Sequence, residues 1–411
     1  MAAMEQKKNT PRGHARRTVR RSWSRACSLR RGLAASCVLV AALSLMLAPA
    51  ASAQTTTDDA SPGGAGRRAV GFVTGHGEPG LEGALSAASE VLLQTFSVSE
   101  VGLSEGALDN LDVVVVAGGP DIPDAELFEL DQFLMRGGRV AFLLDAATIP
   151  RDGTQALVSH SNIFGYISTY GIVVNPDLVL DRACADGAVW GDMESPDPYP
   201  YWPVVQAPGI LDAHPAVSSL TSVPLAWTSS ISMRGIGSGT RTSVLLSSSP
   251  DSWTVSALAD ISPEGPFEPP TELDDIHRIA GLDGFPLAVA VEGTFRSAFA
   301  GKQVIVQSGR EVKFVDPEGM LEQSVPTRVV VFGGSTMFTD DVADQLPGSA
   351  GLLANAISWL AHDVDAAAES STPEYTREWT PRRTALVALI LLCATAALAV
   401  MGARASRRRG R

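Results

Sequence analysis

Apolar residues fall along this chain in two rhythms that alternate from residue 69 onward. Ala69 to Thr74 reads as a buried strand, and Leu81 to Thr95 then carries apolar residues at helical spacing. Asp112 to Ala117 contains the run Val113 to Val116, which is what a parallel strand covered on both faces requires. From Asp121 to Met135 the apolar residues Leu127, Leu130, Phe133 and Leu134 repeat at the helical period. That run stops at Gly137-Gly138 and gives way to a strand over Arg139 to Leu144. Strand, helix, strand, helix, strand predicts an α/β fold with a doubly wound, mostly parallel sheet.

The rhythm then loosens. Leu157 to Tyr170 has helical character, followed by extended pieces at Ile172 to Val174 and Leu178 to Leu180. Residues 187–285 are rich in Pro, Ser, Gly and Trp, with strands expected at Val223 to Thr228, Thr242 to Ser247 and Trp253 to Leu258. They read as a β- or loop-rich insertion into an α/β domain that begins at 67–186, with Ile261 to Asp275 as an exposed acidic loop. Residues 286–363 return to that domain through strands at Pro286 to Val291 and Arg328 to Gly333. A helix over Gly351 to Ala361 closes it.

Both ends of the chain change character. Residues 1–53 form a basic leader: ten Lys and Arg within the first 31 positions, then an apolar run from Gly32 to Ala53. Ala51-Ser52-Ala53 fits a signal-peptide cleavage pattern, and an uncleaved N-terminal anchor is the other reading. Residues 54–66 are a polar spacer and 364–383 a polar stalk. Residues 384–402 are apolar and long enough to cross a bilayer, and the basic tail 403–411 places the C-terminus in the cytoplasm. The body is therefore expected outside the cytoplasm, on a plasma membrane, with one span or two.

Charge sharpens this. Between Gln54 and Arg377 there are 15 Lys and Arg against 43 Asp and Glu, a net charge of −28. A body so acidic excludes a nucleic-acid partner and is expected to repel anionic headgroups. Cys27 and Cys37 lie in the leader and Cys393 in the span, so Cys184 is alone in the body and no internal disulfide forms there.

Motifs for chemistry are few. Gly301-Lys302 is followed by Gln303 and lacks the upstream glycine of a phosphate loop. Gly75-His76-Gly77-Glu78-Pro79-Gly80 matches a dinucleotide fingerprint in form, with Glu100 near ribose-contact distance, but Glu78 inside the loop would oppose a pyrophosphate. Gly333 to Met337 lacks the last glycine of a nucleophile elbow. What remains is a candidate ligand crevice at the carboxyl ends of three strands: Gly75, His76, Gly77 and Glu78 after the first, Gly118, Gly119 and Pro120 after the next, and Asp145 after the third. Turn geometry is the plainer reading of each. Asp177 and Asp181 offer a cation site, with solvated acids as the plainer reading, and Trp190, Tyr199, Tyr201 and Trp202 read as either a contact patch or an insertion core. No catalytic set, metal site or cofactor is expected.

Several segments together resemble one family. Val70 to Pro79, Asp112 to Pro120, Leu130 to Gly138, Gly171 to Asp181, Pro286 to Glu292 with Phe299 to Lys302, and Arg328 to Ser335 with Asn355 to Leu360 are similar to the GldG-type auxiliary component of ABC transporters, related to gliding-motility proteins. The resemblance implies a sheet like that of class I glutamine amidotransferases, of flavodoxin-like type, without that enzyme's cysteine. It implies a non-catalytic accessory subunit partnering an ABC-2-type permease and a separate ATPase, held by the C-terminal helix. An ectoenzyme using His76, Glu78 and Asp145, or a solute-binding sensor, stands as the alternative.

Overall fold

The computed structural model describes residues 67–362 apart from 152–153, 192, 236, 238, 264, 266, 268, 270–282, 309–310, 316–318 and 347. The leader, the spacer, the stalk and the apolar run 384–402 lie outside the described residues. Among those described, no helix is long and apolar enough to cross a membrane.

The chain opens with β1 (Ala69–Val73), α1 (Ser86–Leu92), β2 (Ser97–Val101), β3 (Val113–Gly118), α2 (Asp124–Met135) and β4 (Arg139–Leu144). A long excursion follows. It holds the small pair β5 (Ala147–Thr148) and β6 (Leu157–Val158), then α3 (Ile163–Ser168), β7 (Ile172–Val174), β8 (Asp177–Asp181), β9 (Cys184–Trp190), β10 (Met193–Gln206), β11 (Ser222–Pro224) and β12 (Ile231–Met233). The chain rejoins the main sheet with β13 (Thr240–Ser247), leaves for β14 (Ser252–Ser256), and returns with β15 (Pro286–Gly293). The hairpin β16 (Val304–Ser308) and β17 (Glu311–Val315) precedes β18 (Thr327–Phe332), α4 (Asp340–Ala343) and α5 (Ser349–Ala361).

The central sheet has the order β13-β15-β18-β4-β3-β1-β2. From β2 to β18 all neighbours are parallel, and β15 and β13 add antiparallel strands at one side. Thr242 to Ser247, expected inside the insertion, is thus the outer strand of the main sheet. The four valines of β3 show why the sheet is buried on both faces. Val113 and Val115 face the core beneath α1 and α5, while Val114 and Val116 face the core beneath α2 and α3. Each buried valine contributes roughly 1.5–3 kcal/mol relative to exposure.

Two buried acids were misjudged from composition. Asp177 and Asp181 are not solvated: they are 5% and 1% exposed. Asp177 accepts bonds from the Ser230 amide and hydroxyl at 2.8 and 2.6 Å, and Asp181 accepts from the Ser249 amide and hydroxyl at 2.7 and 2.6 Å. Each ties β8 to a passing loop. Asp131 of α2, also fully buried, accepts from Tyr170 Oη (2.7 Å), Ser297 Oγ (2.7 Å), the Ala298 amide (2.8 Å) and Gln132 Nε2 (3.0 Å). It joins α2, the end of α3 and the chain after β15. The aromatic cluster proves to be core: Tyr199 and Trp202 are fully buried and pack edge-on against Trp227.

The chain enters and leaves the body side by side. The Ser97 amide bonds the Arg68 carbonyl at 2.9 Å, and the ring of the adjacent Phe96 lies 6.2 Å from that of His362, the last described residue. Both ends therefore emerge where the parallel strands begin.

Candidate functional site

In open parallel sheets, ligands bind beyond the carboxyl ends of the strands, where the strand order reverses. Here that point lies between β1 and β3, which flank it with β2 on the far side of β1. The structure brings the predicted residues together there and shows what each does.

The turn after β1 needs its glycines, because Gly75 and Gly77 have φ of 121° and 92°. The turn is closed by Glu78, whose fully buried side chain accepts a bond from the His76 amide at 2.7 Å and lies 3.0 Å from His76 Nδ1. The other ring nitrogen, Nε2, lies 3.1 Å from the Glu126 carboxylate in the first turn of α2. Both faces of His76 that would serve acid/base work are thus already engaged. Sequence reasoning missed Glu126, which is fifty positions away and carries no local signal.

The anion site of a dinucleotide fold would be the amino end of α1. One carboxylate of the chain itself, Asp340, occupies it, and a second, Glu100, holds the turn that leads into it. Glu100 accepts from the Leu81 amide at 2.8 Å, and Asp340 accepts from the Ser86 amide (3.2 Å), the Ser86 hydroxyl (2.5 Å) and the Ala87 amide (2.8 Å). Glu100, placed by spacing at a ribose, holds the turn before α1 through the Leu81 amide.

Gly118 sits against Pro79, joining the turns after β1 and β3, and a side chain at Gly119 would collide with Ser159. Pro120 is buried. Asp145 continues from Gly118 through its own amide, which bonds the Gly118 carbonyl at 3.0 Å. Its carboxyl group accepts from the Ser335 amide (2.6 Å) and hydroxyl (2.5 Å), capping the helical turn Thr336–Phe338 that follows β18. Burial raises the Asp145 carboxyl above its ordinary value, and the bonds from Ser335 and Thr336 partly oppose this.

That shift has a consequence for stability. A carboxyl with a raised folded value holds its proton better folded than unfolded, so its contribution grows more favourable as pH falls toward 3.8. Asn at this position keeps an acceptor for the Ser335 amide and does not titrate. Asp145→Asn is expected to change stability by at most about 1 kcal/mol at pH 7. On moving from pH 7 down toward pH 4 the wild type should gain relative to the variant. Urea unfolding of both proteins at the two pH values measures it, and a pH-independent difference would remove the linkage.

Elsewhere, Cys184 is half-buried and its thiol is pushed up to about 11, by burial first and then by Asp181 and Asp186, which makes it a poor nucleophile. Among the described residues no group of three or more His, Cys, Asp or Glu side chains is arranged to hold a metal ion. Cavities open at other places. One of about 240 Å³ lies at the amino end of the sheet, lined by His214, Arg241, Glu292, Arg328, Trp359 and His362 among others. Another, of about 490 Å³, lies between the end of β10 and the turn after β13.

The fold and the site together define a mostly parallel α/β body whose usual ligand end is closed by its own carboxylates. The chain belongs to the family described as an ABC-type uncharacterized transport system, whose pattern matches residues 67–361, and it is an auxiliary component of such a system. No curated protein matches it. Among solved structures it is similar to the mmIFT52 N-terminal domain, at 14% identity and a TM-score of 0.45 over 72% of this chain and 98% of that one. It is also similar to a putative ThuA-like protein from Bacteroides uniformis, at 14% identity and a TM-score of 0.33 over 73% and 94%. At these values neither likeness specifies a function.

Proposed function

We propose that the protein is a non-catalytic, extracytoplasmic accessory subunit of an ABC-2-type transport system of the GldG type, binding a permease that works with a separate ATPase. The observation that carries the reading is the family membership across nearly the whole described body, 67–361. The closed carboxyl end supports the non-catalytic part, because His76, Glu78 and Asp145, the residues an ectoenzyme would need, are each committed to a partner within the chain. The parallel strands also run in the order β2-β1-β3-β4-β18, which fits the flavodoxin and amidotransferase type of sheet. Anchoring rests on the apolar run 384–402. The adjacent entry and exit of the chain suit one span or two.

The test is a mild-detergent pull-down of the tagged full-length protein beside a form lacking Thr384 to Arg411. Co-recovery of a multispanning permease and an ABC ATPase with the full-length chain, and their loss from the shortened form, is the expected result. Well-folded protein recovered alone in several detergents would overturn it.

A further inference from the structure

Eleven large apolar side chains stand exposed among the described residues, and six of them, Ile305, Val306, Val312, Phe314, Leu321 and Val325, fall in the stretch between β15 and β18. The other five come from five separate segments. Four of the six belong to the hairpin of β16 and β17, and its register explains their exposure. Val304 pairs with Val315, Ile305 with Phe314 and Gln307 with Val312. Cross-strand partners share a face, and faces alternate along a strand. Val304 is buried in the core beneath α2 and α3, so Ile305, Val312 and Phe314 stand on the opposite face, 41%, 52% and 64% exposed.

The main chain is open on the same strand. In an antiparallel pair, opposed residues alternate between those that bond each other and those whose amides and carbonyls point outward. The Ile305 amide points outward, because it donates to the Asp124 carboxylate in the first turn of α2 at 2.5 Å. Its partner Phe314 therefore points outward on the other edge, and so does Val312, two residues before it. Among the described residues β17 pairs with β16 alone. An apolar edge strand with open main-chain groups is a template for one more strand, and folds usually cover or charge such an edge. This one is also preformed: Val304 and the Asp124 bond seat β16, and Phe299 just before it packs edge-on against Phe128 of α2 at 5.5 Å.

We propose that β17 is a docking edge that takes an extended segment of the permease as a third strand. The inference deepens the accessory-subunit reading given above and rests on it. The outward groups of Val312 and Phe314 hold the main chain of the segment, and apolar residues at its alternate positions cover Ile305, Val312 and Phe314. A second copy of this chain fits the edge poorly. The two-fold register that uses both open positions in each copy sets Lys313 directly against its own counterpart, and like charges so placed destabilise a strand pair. The net charge of −28 on each body adds repulsion. Membership of a transport-system family points instead to a subunit of that system.

The test uses the full-length protein in cells that make the transport system, with a benzophenone amino acid in place of Phe314. A second sample carries it in place of Leu258, equally accessible on another segment. Light should join the Phe314 form to the permease and leave the Leu258 form unjoined. Val312→Pro is the companion variant. Its missing amide is one that faces outward, so the bonds to β16 remain while the ring blocks an added strand. Recovery of the permease with this variant in mild detergent should fall by roughly tenfold, with the near-UV circular dichroism of the wild type retained. The cross-link reads the unaltered main chain of the hairpin, so it decides the matter if the proline variant fails to fold.

Co-purification of the permease without a cross-link from Phe314, or undiminished recovery with folded Val312→Pro, would overturn strand addition at β17 and leave the accessory-subunit reading standing. A cross-link between two copies of this chain would overturn it in favour of self-association. Protein that brings down no transport subunit would overturn both.

Discussion

Asp131→Ala is expected to destabilise the body by about 3–5 kcal/mol. The carboxyl group is fully buried and accepts four hydrogen bonds, from Tyr170, Ser297, Ala298 and Gln132. Removing it takes the acceptor from the Ser297 hydroxyl and the Ala298 amide, while Gln132 keeps the Leu321 carbonyl and Tyr170 keeps Tyr166; each buried group left without a partner costs roughly 1–3 kcal/mol. The damage extends to Tyr166, whose hydroxyl lies 2.8 Å from that of Tyr170. Burial raises both tyrosines far above their ordinary values, so neither offsets the loss by ionising. A thermal melt followed by near-UV circular dichroism should fall by roughly 10 °C. Asp131→Asn retains acceptor capacity and should lose clearly less. If alanine and asparagine behave alike, the bonds to Ser297 and Ala298 do not hold the segment after β15.

The second large effect is expected at Gly333→Ala. The Cβ of an alanine there would sit 2.1 Å from the Ser229 carbonyl oxygen and 3.0 Å from the Thr228 hydroxyl. The first is backbone and cannot swing aside. Residues 227–230 of the excursion would have to lift from the end of β18, breaking the bond from the Ser229 amide to the Gly333 carbonyl at 2.7 Å. Trp227, held at φ 46° between Trp190, Tyr199 and Trp202, is carried by that same segment. A cost of about 3 kcal/mol follows from the overlap, with a red shift in tryptophan fluorescence because the aromatic core opens first. Gly83→Ala, where an added Cβ meets nothing within 4 Å, is the control expected to change neither stability nor spectrum. Unaltered fluorescence in Gly333→Ala would mean that the excursion is not fastened at β18.

Sequence periodicity made the parallel half of the sheet legible because β1, β3 and β4 are buried on both faces and their valines and leucines leave no other reading. β2 escaped it: Ser97–Val101 is mostly exposed and has no apolar run. The pair β9 and β10 escaped for another reason. Its second strand contains Pro196, Pro198, Pro200 and Pro203, and prolines read as loop unless the register shifts that accommodate them are seen. The helix expected over Leu157 to Tyr170 is confined to Ile163–Ser168, since Leu157 and Val158 pair with Ala147 and Thr148 instead.

At the candidate site, the sequence located the turns correctly because Gly75, Gly77 and Gly118 mark strand ends. It had no means of finding what fills them. Asp340 reaches Ser86 from 254 residues away, and Ser335 reaches Asp145 across 190, contacts made by the fold and by no local pattern. Composition likewise misled for Asp177 and Asp181, whose partners are serines supplied by distant loops.

The neighbouring entry and exit points carry a consequence for how such a body is deployed. A fold whose two ends emerge side by side behaves as a cassette: it fits into a single surface loop of a host protein, or between two anchors, or behind one, without any strand moving. Grafting, swapping between carriers and change in the number of flanking anchors are therefore open to it at little structural cost, because the join never reaches the sheet.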